Sequence, residues 1–392
     1  MSRARVFKLP GIQDLSKQQD AALALPLAGQ HLIIGGPGTG KSVVALLRAR
    51  RLAQEGKSYQ FLVYNHVLHQ SNRHLFGDTD PLSSTTWLSW FFRLYRDVFN
   101  EEVPKVEAHG SRFQPIDWDA VNASIGALAE GEGPGNFPCL VIDEGQDMPP
   151  MFYKALTDLG FDNFYVVADQ NQQIHPDQCS SRQDIEIALD VASASTLELL
   201  DNYRNALPVA KLALTFYGGD PASPPPQLPS KSHSALTPEI VTYGQLGRCT
   251  FDSILERILK LSDVNPRKLI GIITPNNYVR ECFCTGLNRV VPQLDNGKPP
   301  IQTYVTGNNA QLDFGHGGIM VLNAQSCKGL EFDTVILADI DLHQPKDAST
   351  LKARFYVMAA RARDRLILLR TGQTCPVVES LLPLDSDILS RN

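Results

Sequence analysis

The feature that most constrains the fold is a glycine-rich stretch between an apolar run and a helix-forming run. Residues 31–53 read HLIIGGPGTGKSVVALLRARRLA, and Gly35–Ser42 within them fits the pattern G-x-x-x-x-G-K-[ST]. Glycine tolerates backbone conformations that turn consecutive N–H groups toward an anion, and the helix that follows adds the positive end of its dipole. The stretch therefore predicts a strand, a phosphate-binding loop and a helix, and with them an α/β domain that binds a nucleoside triphosphate.

Two residues of this loop carry most of its chemistry. Lys41 can reach the β- and γ-phosphates, and the Ser42 hydroxyl can bind Mg²⁺. The predicted nucleotide site comprises Gly35, Gly36, Pro37, Gly38, Thr39, Gly40, Lys41 and Ser42. The alternative is an ordinary glycine-rich turn, which the strand–loop–helix context disfavours. A phosphate-binding loop alone does not distinguish a kinase, a switch GTPase and a motor.

Short apolar runs separated by helix-length segments continue along the chain, and this pattern is typical of buried parallel strands. The runs fall into two sets, one in each half. We therefore predict two tandem α/β domains with parallel sheets, at residues 1–195 and 196–392. The proline-rich stretch 218–234 is expected to be a surface loop inside the second domain.

Composition excludes several classes of protein. Hydrophobic residues make up 43% and charged residues 20% of the 392 residues, as in a globular protein rather than a disordered chain. The net charge of −6 excludes a polybasic mode of nucleic-acid binding, so any such binding needs a local groove. No apolar run approaches the roughly 18 residues of a membrane span. The seven scattered cysteines form no C-x-x-C pair and predict free thiols in a reducing cytoplasm.

Two acidic residues follow another apolar run, in CLVIDEGQD (139–147). Next to a bound nucleotide, Asp143 can hold Mg²⁺ and Glu144 can polarise the attacking water as a general base. An exposed acidic turn is the alternative. The stretch FYVVADQNQQIH (164–175) repeats the scheme, with polar side chains at a strand end that could sense the γ-phosphate.

At this point the chain resembles a known family. DEGQD (143–147) is similar to the D-E-x-Q-D box of superfamily I DNA helicases of the UvrD/Rep/PcrA kind. Further stretches resemble the other boxes of that family in the same order: DLSKQQDAA, GGPGTGKS, VYNHVLHQ, STTWLSWF, ADQNQQI, LDNYRN, AQSCKGLEFDTVIL and FYVMAARARD. The resemblance runs from about Leu15 to Leu369. It implies two RecA-like P-loop NTPase domains with ATP in the cleft between them.

The resemblance also implies roles for residues outside the phosphate loop. These are Gln19 at the adenine edge, Tyr203 on the base, Gly329 and Glu331 at the ribose, and Gln172, Arg204 and Arg361 at the γ-phosphate. Arginines supplied by a second domain would stabilise the charge of the transition state. Without the resemblance, Arg361 is more simply a solvated arginine on a basic helix, and that interpretation is the alternative.

The same boxes imply a track for a single strand, which needs hydrogen-bonding groups for phosphates and flat groups for bases. The candidates are Asn65, His66, Thr86, Trp87, His175, Gln325 and Ser326. Core packing is the alternative for most of the aromatic cluster around Trp87. Trp87 is the member of that cluster that we assign to the track.

Two of the chain's departures from the family bear most on its predicted activity. Val43 stands where the family places a base-stacking arginine, so adenine recognition would rest on Gln19 and Tyr203. The two bulky insertions of the family are reduced, the first to a short one at about 95–135 and the second to a vestige at about 287–316. The second departure predicts a minimal motor core.

We therefore predict an ATP- and Mg²⁺-dependent translocase or helicase that acts on single-stranded DNA, with RNA left open. Its 3′–5′ direction follows from the resemblance alone. The closest alternative is a DNA-end-sensing or nucleic-acid-stimulated ATPase that regulates a partner protein, such as a nuclease in phage defence or repair, without robust unwinding. A P-loop kinase is a more distant alternative, because DEGQD and KGLEFD have no role there. A cytoplasmic location without membrane association is expected.

Overall fold

The structure is a computed structural model, and it describes most of the chain. The described residues are 2–5, 8–77, 82–107, 114–128, 137–169, 179–218, 225–230, 232–244, 249–305, 310–343, 347–373 and 375–391. Gln172 and His175, which the sequence predicts as site residues, lie outside these ranges. Parts of the predicted loop 218–234 and of the two predicted insertions also lie outside them.

The first sheet is parallel throughout. Its strands are β1 (Gln30–Gly35), β2 (Tyr59–Val63), β3 (Ser84–Thr86), β4 (Cys139–Ile142), β5 (Phe164–Ala168) and β6 (Leu197–Leu199). They pair in the order β3-β2-β4-β5-β1-β6. The helices of this half are α1 (Lys17–Ala24), α2 (Lys41–Gln54), α3 (His66–Phe76), α4 (Trp87–Phe99), α5 (Trp118–Gly126), α6 (Pro150–Asp158) and α7 (Arg182–Ala188).

The second sheet is also parallel. Its strands are β7 (Glu239–Thr242), β8 (Leu269–Thr274), β9 (Ile301–Thr303), β10 (Gly318–Asn323), β11 (Phe332–Leu337), β12 (Ala362–Arg370) and β13 (Ser390–Arg391). They pair in the order β13-β7-β12-β11-β8-β10-β9. The helices of this half are α8 (Leu207–Thr215), α9 (Phe251–Val264), α10 (Asn277–Arg289), α11 (Ala348–Ala359) and α12 (Pro376–Leu381).

Apolar clusters lie on both faces of each sheet. Along β1, Leu32 and Ile34 belong to the cluster on one face and Ile33 to the cluster on the other. For the same reason β4, β5, β8 and β11 are buried at every residue. This explains why their sequences are continuous apolar runs rather than alternating ones. The predicted fold class, two parallel-stranded α/β domains, is confirmed.

The chain is divided between the sheets slightly differently from the predicted boundary at 195/196. β6 lies beyond that boundary and still belongs to the first sheet, because Leu197 pairs with Ile33. At the other end, Ala4 forms an antiparallel bridge with His316, and Arg5 Nε lies 2.9 Å from Asp333 Oδ2. Residues 2–5 therefore pack on the second domain although they precede the first.

The two domains touch through α3. Gln70 donates a hydrogen bond to Ala310 O at 3.2 Å and accepts one from Leu312 N at 2.8 Å. Val67 belongs to the apolar cluster of the second domain. A Cβ at Gly329, whose φ is 77°, would lie 2.7 Å from the side chain of Leu68. The contact therefore combines hydrogen bonds, apolar packing and a close backbone approach.

The predicted insertions are small among the described residues. The described part of 95–135 contains the end of α4 and α5, and the described part of 287–316 contains the end of α10 and β9. All seven cysteines are described, and each is a free thiol in this structure. None of the described helices is long and apolar enough to cross a bilayer.

Candidate nucleotide-binding and catalytic site

A cavity of about 430 Å³ opens between the two domains beside the phosphate loop. Its walls come from both halves of the chain. The predicted site residues that line it are Gln19, Pro37, Gly38, Gly40, Lys41, Ser42, Glu144, Tyr203, Arg204, Gly329, Glu331 and Arg361. The fold thus brings together residues that are far apart in the sequence.

The phosphate loop has the conformation that its glycines permit. Gly38 and Gly40 have φ values of 81° and 88°, in the left-handed region that favours glycine. A Cβ at Gly40 would also lie 2.3 Å from Gln19 Nε2. Lys41 Nζ donates to Gly36 O at 2.9 Å, so the ammonium group lies against the loop. A larger residue at Gly40 would be strained by its backbone and by its neighbour.

Oxygen groups suited to Mg²⁺ lie beside this loop. Ser42 Oγ donates to Asp143 Oδ1 at 3.2 Å, and Asn72 Nδ2 donates to Asp143 Oδ2 at 3.3 Å. No group of three or more His, Cys, Asp or Glu side chains in the described residues could hold a metal ion. Mg²⁺ needs no such group, because it commonly uses one or two carboxylates together with phosphates and water. The hydroxyl and carboxylate here therefore fit Mg²⁺.

The charge state of Asp143 depends on its surroundings. Burial and the neighbouring charge of Glu144 raise the pKa of Asp143 to about 6. Hydrogen bonds from Ser42 and Asn72 offset only part of this rise. The carboxyl group thus gains the charge that a metal requires only as the pH rises above about 6.

Glu144 is buried and favours the ionised state. Burial would raise its pKa, but the charges of Lys328, Lys41 and Arg361 outweigh burial and lower the pKa. Its φ is 58°, a left-handed backbone that costs a non-glycine residue about 1–3 kcal/mol. Gln146 Nε2 donates to Glu144 Oε2 at 2.7 Å and restrains the carboxylate. Glu144 therefore has the charge and the restraint that a general base requires.

A buried ion pair joins the acidic loop, which follows β4 and carries Asp143, Glu144 and Asp147, to the second domain. Lys328 Nζ donates to Asp147 Oδ1, and the two side chains are 3% and 4% exposed. The same Nζ lies 5.9 Å from the ring centroid of Tyr64. Sequence reasoning assigned no role to Lys328 or Asp147, because their positions alone give no sign that they meet. The pair links the box that contains Glu144 to the loop before β11.

Arg204 and Glu331 bond to each other at the cavity wall. Arg204 Nε lies 3.0 Å from Glu331 Oε2. Burial would raise the pKa of Glu331, but Arg204, Arg363 and Arg5 outweigh burial and lower it. The sequence predicted a γ-phosphate contact for Arg204 and a ribose contact for Glu331. A phosphate that recruits Arg204 therefore competes with Glu331 for the guanidinium.

Arg361 lies just after α11 and is 1% exposed. Its Nε donates to Val357 O at 3.0 Å, and its Nη1 donates to Leu330 O at 3.4 Å. Burial and the charge of Arg204 lower the pKa of Arg361, and Glu144 opposes this effect. The alternative of a solvated arginine on a basic helix is wrong, because the side chain is buried at the cavity.

The two residues predicted to bind the base, Tyr203 and Gln19, differ in how exposed their side chains are and in how they bond within the protein. Tyr203 is 54% exposed, and its backbone N donates to Gly38 O at 2.9 Å. Gln19 uses both ends of its amide within the protein: Nε2 donates to Thr39 O at 2.9 Å, and Oε1 accepts from Ser16 N at 3.0 Å. Gln19 therefore braces the phosphate loop in this structure. Its contact with adenine stays a prediction.

The cavity also has walls that sequence reasoning missed. Lys8, Leu9 and Pro10 line it on the side of α1, and Arg363 lines it from β12. Leu9 packs against the same apolar cluster as Val43. No motif marks Lys8, Leu9 or Pro10, so only the fold reveals them. Arg363 lies in the FYVMAARARD box, but sequence reasoning assigned it no role at the site.

The predicted nucleic-acid residues lie where strands meet the elements that follow them. Asn65 and His66 follow β2, Thr86 and Trp87 lie at the junction of β3 with α4, and Gln325 and Ser326 follow β10. In the first sheet all strands are parallel, so its four candidates lie at the same edge as the phosphate loop, which follows β1. This edge is where ligands of open α/β sheets bind.

The candidate side chains are not equally accessible. His66 and Gln325 are exposed, whereas Asn65 Oδ1 accepts from Leu68 N at 2.8 Å and caps α3. Ser326 is half-buried, and its backbone N donates to Asn323 Oδ1. These residues therefore offer solvent-facing groups, one helix N-terminus and a turn.

Thr86 and Trp87 both make contacts within the protein interior. Thr86 is buried, and its Oγ1 donates to Ser89 Oγ at 2.9 Å. The Thr86 hydroxyl is bonded within the first turn of α4 in this structure, and its contact with a nucleic-acid strand stays a prediction. Trp87 is half-buried and packs edge-on against Phe152, with ring centroids 5.1 Å apart. Core packing therefore accounts for one side of Trp87.

Residues 318–369 match the UvrD-like helicase C-terminal domain family. This segment contains β10, β11 and α11 and carries Gly329, Glu331 and Arg361. The match confirms, for this segment, the predicted resemblance to UvrD-like helicases. No curated protein sequence matches it.

Two of the solved structures that match the chain do so at low identity. The C-terminal domain of a possible DNA helicase from Lactobacillus plantarum WCFS1 is 16% identical, with 48% of this chain and 98% of that chain covered and a TM-score of 0.34. Arterivirus nonstructural protein 10 (helicase) is 14% identical, with 94% of this chain covered and a TM-score of 0.35. The match spans 64% of the viral protein, slightly less than two thirds of its length.

Mg²⁺-dependent nucleotide binding should weaken as the pH falls through about 6, because Asp143 then takes up a proton and loses the charge that attracts the metal. The measurement is a Mg²⁺ titration with a fluorescent ATP analogue from about pH 5 to about pH 8. In the control Asp143→Asn, Mg²⁺ should have a weak effect at every pH. A wild-type Mg²⁺ affinity that stays constant over this range would contradict the assignment.

Lys328→Ala should lower the free energy of unfolding by about 3–5 kcal/mol, because it leaves the buried Asp147 carboxylate without its cation. The measurement is urea unfolding. A matched control is Lys154→Ala, which removes an exposed pair with Asp158 one helical turn away and should cost about 0.3–0.5 kcal/mol. Equal losses in the two variants would show that the Lys328 pair is not a buried contact between domains.

Proposed function

We propose that the chain is a nucleic-acid-dependent ATPase that acts as a 3′–5′ translocase or helicase of superfamily I on single-stranded DNA. The observation that carries the proposal is the division of charged groups across one cavity. Lys41 and Glu144 lie on the first domain, whereas Arg361 and Glu331 come from the second. Hydrolysis that needs both walls depends on how the domains are arranged, and this dependence is what a motor requires.

The residues of the chain divide the chemistry among them. The phosphate loop and Lys41 bind the triphosphate, and Mg²⁺, when bound near Ser42 and Asp143, supplies positive charge to the phosphates. Glu144 orients a water molecule and accepts its proton, because its carboxylate is ionised and restrained by Gln146.

The second domain supplies the compensating cations. Arg361 is already buried in the cavity wall, and Arg204 is held there by Glu331. Guanidinium groups stabilise the charge that develops on the transferred phosphoryl group. Because these groups are not on the domain that binds the phosphates, a change in the contact between domains changes the rate.

Nucleic-acid binding supports the motor only if it affects both domains. The candidate residues occur on each: Asn65 and His66 follow β2, and Gln325 and Ser326 follow β10. A strand that contacts both pairs would hold the domains together. With a net charge of −6, this binding relies on local groups rather than on overall attraction.

A second candidate function is a nucleic-acid-stimulated ATPase that regulates a partner such as a nuclease without robust unwinding. The small extent of the insertions favours it, since the described part of 287–316 holds little beyond β9. Strand displacement on a forked duplex separates the candidates. The helicase releases the displaced strand in an ATP-dependent reaction, whereas the regulatory ATPase hydrolyses ATP and leaves the duplex paired.

Single-stranded DNA should stimulate ATP hydrolysis more than duplex DNA or RNA does. The measurement is steady-state phosphate release with each nucleic acid in parallel. Lys41→Ala should abolish hydrolysis, and Glu144→Gln should retain ATP binding while losing turnover, since its amide keeps the shape and removes the base. Equal rates with and without every nucleic acid would overturn the proposed function, and turnover by Glu144→Gln near the wild-type rate would remove Glu144 from its role.

Arg361→Ala should lower the nucleic-acid-stimulated ATPase rate by about 10³–10⁵-fold. It should bind single-stranded DNA nearly normally, because the guanidinium faces the nucleotide cavity. The measurements are DNA affinity by fluorescence anisotropy and the ATPase rate at saturating DNA. Arg289→Ala is the matched control, since Arg289 lies on the same domain in an exposed pair with Asp252. Weaker DNA binding with unchanged turnover would place Arg361 on the strand track.

A further inference from the structure

The segment between β6 and α8 contacts both walls of the nucleotide cavity. At one end, the backbone N of Tyr203 donates to Gly38 O at 2.9 Å in the phosphate loop. At the other end, the backbone N of Ala206 donates to Arg363 O at 2.7 Å in β12. The few residues between these bonds are therefore fixed to the first domain and to the second.

Asn205 lies in this segment and is 2% exposed. Its Nδ2 donates to Ala360 O at 3.1 Å and to Ala362 O at 2.5 Å. These are the carbonyl groups on either side of Arg361. A side-chain amide has two N–H donors, and Asn205 donates both to the backbone next to this arginine.

Asn202 connects Asn205 to the phosphate loop. Its Nδ2 donates to Asn205 Oδ1 at 2.9 Å, and its Oδ1 accepts from the backbone N of Arg204 and of Asn205, each at 3.1 Å. A Cβ added to Gly38 would lie 2.4 Å from this Oδ1. The Asn202 side chain thus lies directly against a loop residue and bonds to the residue that holds the Arg361 backbone.

We propose that Asn205 is a positioning residue for Arg361, and that Asn202 and Asn205 transmit the conformation of the phosphate loop to it. The proposal rests on the proposed function in one respect, namely that Arg361 takes part in ATP hydrolysis. Asn205 lines no part of the cavity and acts only through the peptide groups next to Arg361. Its effect therefore falls on turnover rather than on nucleotide binding.

The physical reason is the length of the arginine side chain. Its own hydrogen bonds, to Val357 O and Leu330 O, orient the guanidinium relative to the end of α11 and the start of β11. The backbone around its Cα is held by Asn205 at Ala360 O and Ala362 O, together with the bonds from Arg361 N to Met358 O at 3.2 Å and from Phe332 N to Arg361 O at 3.0 Å. A shift of about 1 Å in a group that acts on the transition state is enough to cost about 10²-fold in rate.

The test compares Asn205→Ala with Asn205→Asp. The aspartate keeps the size and the acceptor for Asn202, but it loses both donors to the Arg361 backbone. Each variant should lower the nucleic-acid-stimulated kcat by about 10²-fold and change ATP affinity by less than about twofold. Asn265→Ala is the matched control, since Asn265 also donates to a backbone carbonyl of the second domain, at Leu261, but lies away from the cavity lining.

A double-mutant cycle separates positioning from a general loss of structure. If Asn205 acts through Arg361, adding Asn205→Ala to Arg361→Ala should change kcat by less than about twofold. Independent effects that multiply would overturn the proposal. So would a loss of ATP affinity equal to the loss of kcat.

Hydrogen exchange provides a readout that needs no hydrolysis. Residues 358–363 of the nucleotide-free protein should exchange faster in Asn205→Asp than in the wild type, with the midpoint of thermal unfolding as the check on folding. Unchanged exchange there would overturn the proposal whatever the ATPase activity. A wild-type protein without ATPase activity, or an Arg361→Ala variant that keeps it, would instead refute the proposed function. Loss of ATPase activity in Arg361→Ala together with normal activity in the Asn205 variants would refute this inference alone.

Discussion

The nucleotide cleft depends on the compensation of buried carboxylates by cations of the other domain. Asp143, Glu144 and Asp147 are all buried, and burial acts to raise the pKa of each, although nearby cations lower the pKa of Glu144 overall. Lys328 and Arg361, both from the second domain, favour ionisation of Glu144. Charges removed from water are costly unless they are paired, so the acidic loop in its present charge state requires the second domain. The site is therefore a property of the two-domain arrangement and not of the phosphate loop alone.

The contact between the domains matches this requirement. α3 lies against the second domain through Val67 and Gln70, and Gly329 allows a close approach to Leu68. Apolar packing supplies the area, whereas the Lys328–Asp147 pair supplies a contact that is satisfied only when the two loops meet. A shift between the domains therefore disturbs packing and charge compensation together, and it does so next to the groups that would carry out hydrolysis.

Much of this site could be predicted because a few residue types have very restricted uses. Glycines at Gly38 and Gly40, a lysine and a hydroxyl residue at fixed spacing predict a phosphate loop, and the apolar run before Asp143 predicts a strand with its acids at the tip. Burial of Arg361 agrees with the resemblance rather than with the basic-helix alternative.

The contacts that could not be predicted are long-range and use ordinary residues. Nothing local marks Asp147 as the partner of Lys328 or Asn205 as a ligand of the Arg361 backbone, because these pairings exist only once the sheets are assembled. Thr86 shows the converse limit. Its assignment to the nucleic-acid track came from the resemblance, but the bond to Ser89 that turns the hydroxyl inward belongs to the first turn of the helix. The order of the strands also follows from packing and not from any single run.

The docking of residues 2–5 on the second domain has a consequence for biosynthesis. Their partners, His316 and Asp333, are translated more than three hundred residues later. The first sheet can assemble from residues 30–199 as soon as they leave the ribosome, since domains generally fold as units in the order of their synthesis. Residues 2–5 have no surface to bind until the second sheet exists. Residues that precede the first sheet in the sequence are therefore among the last to reach their native contacts, and a nascent chain has a phosphate loop long before it has an enclosed cleft.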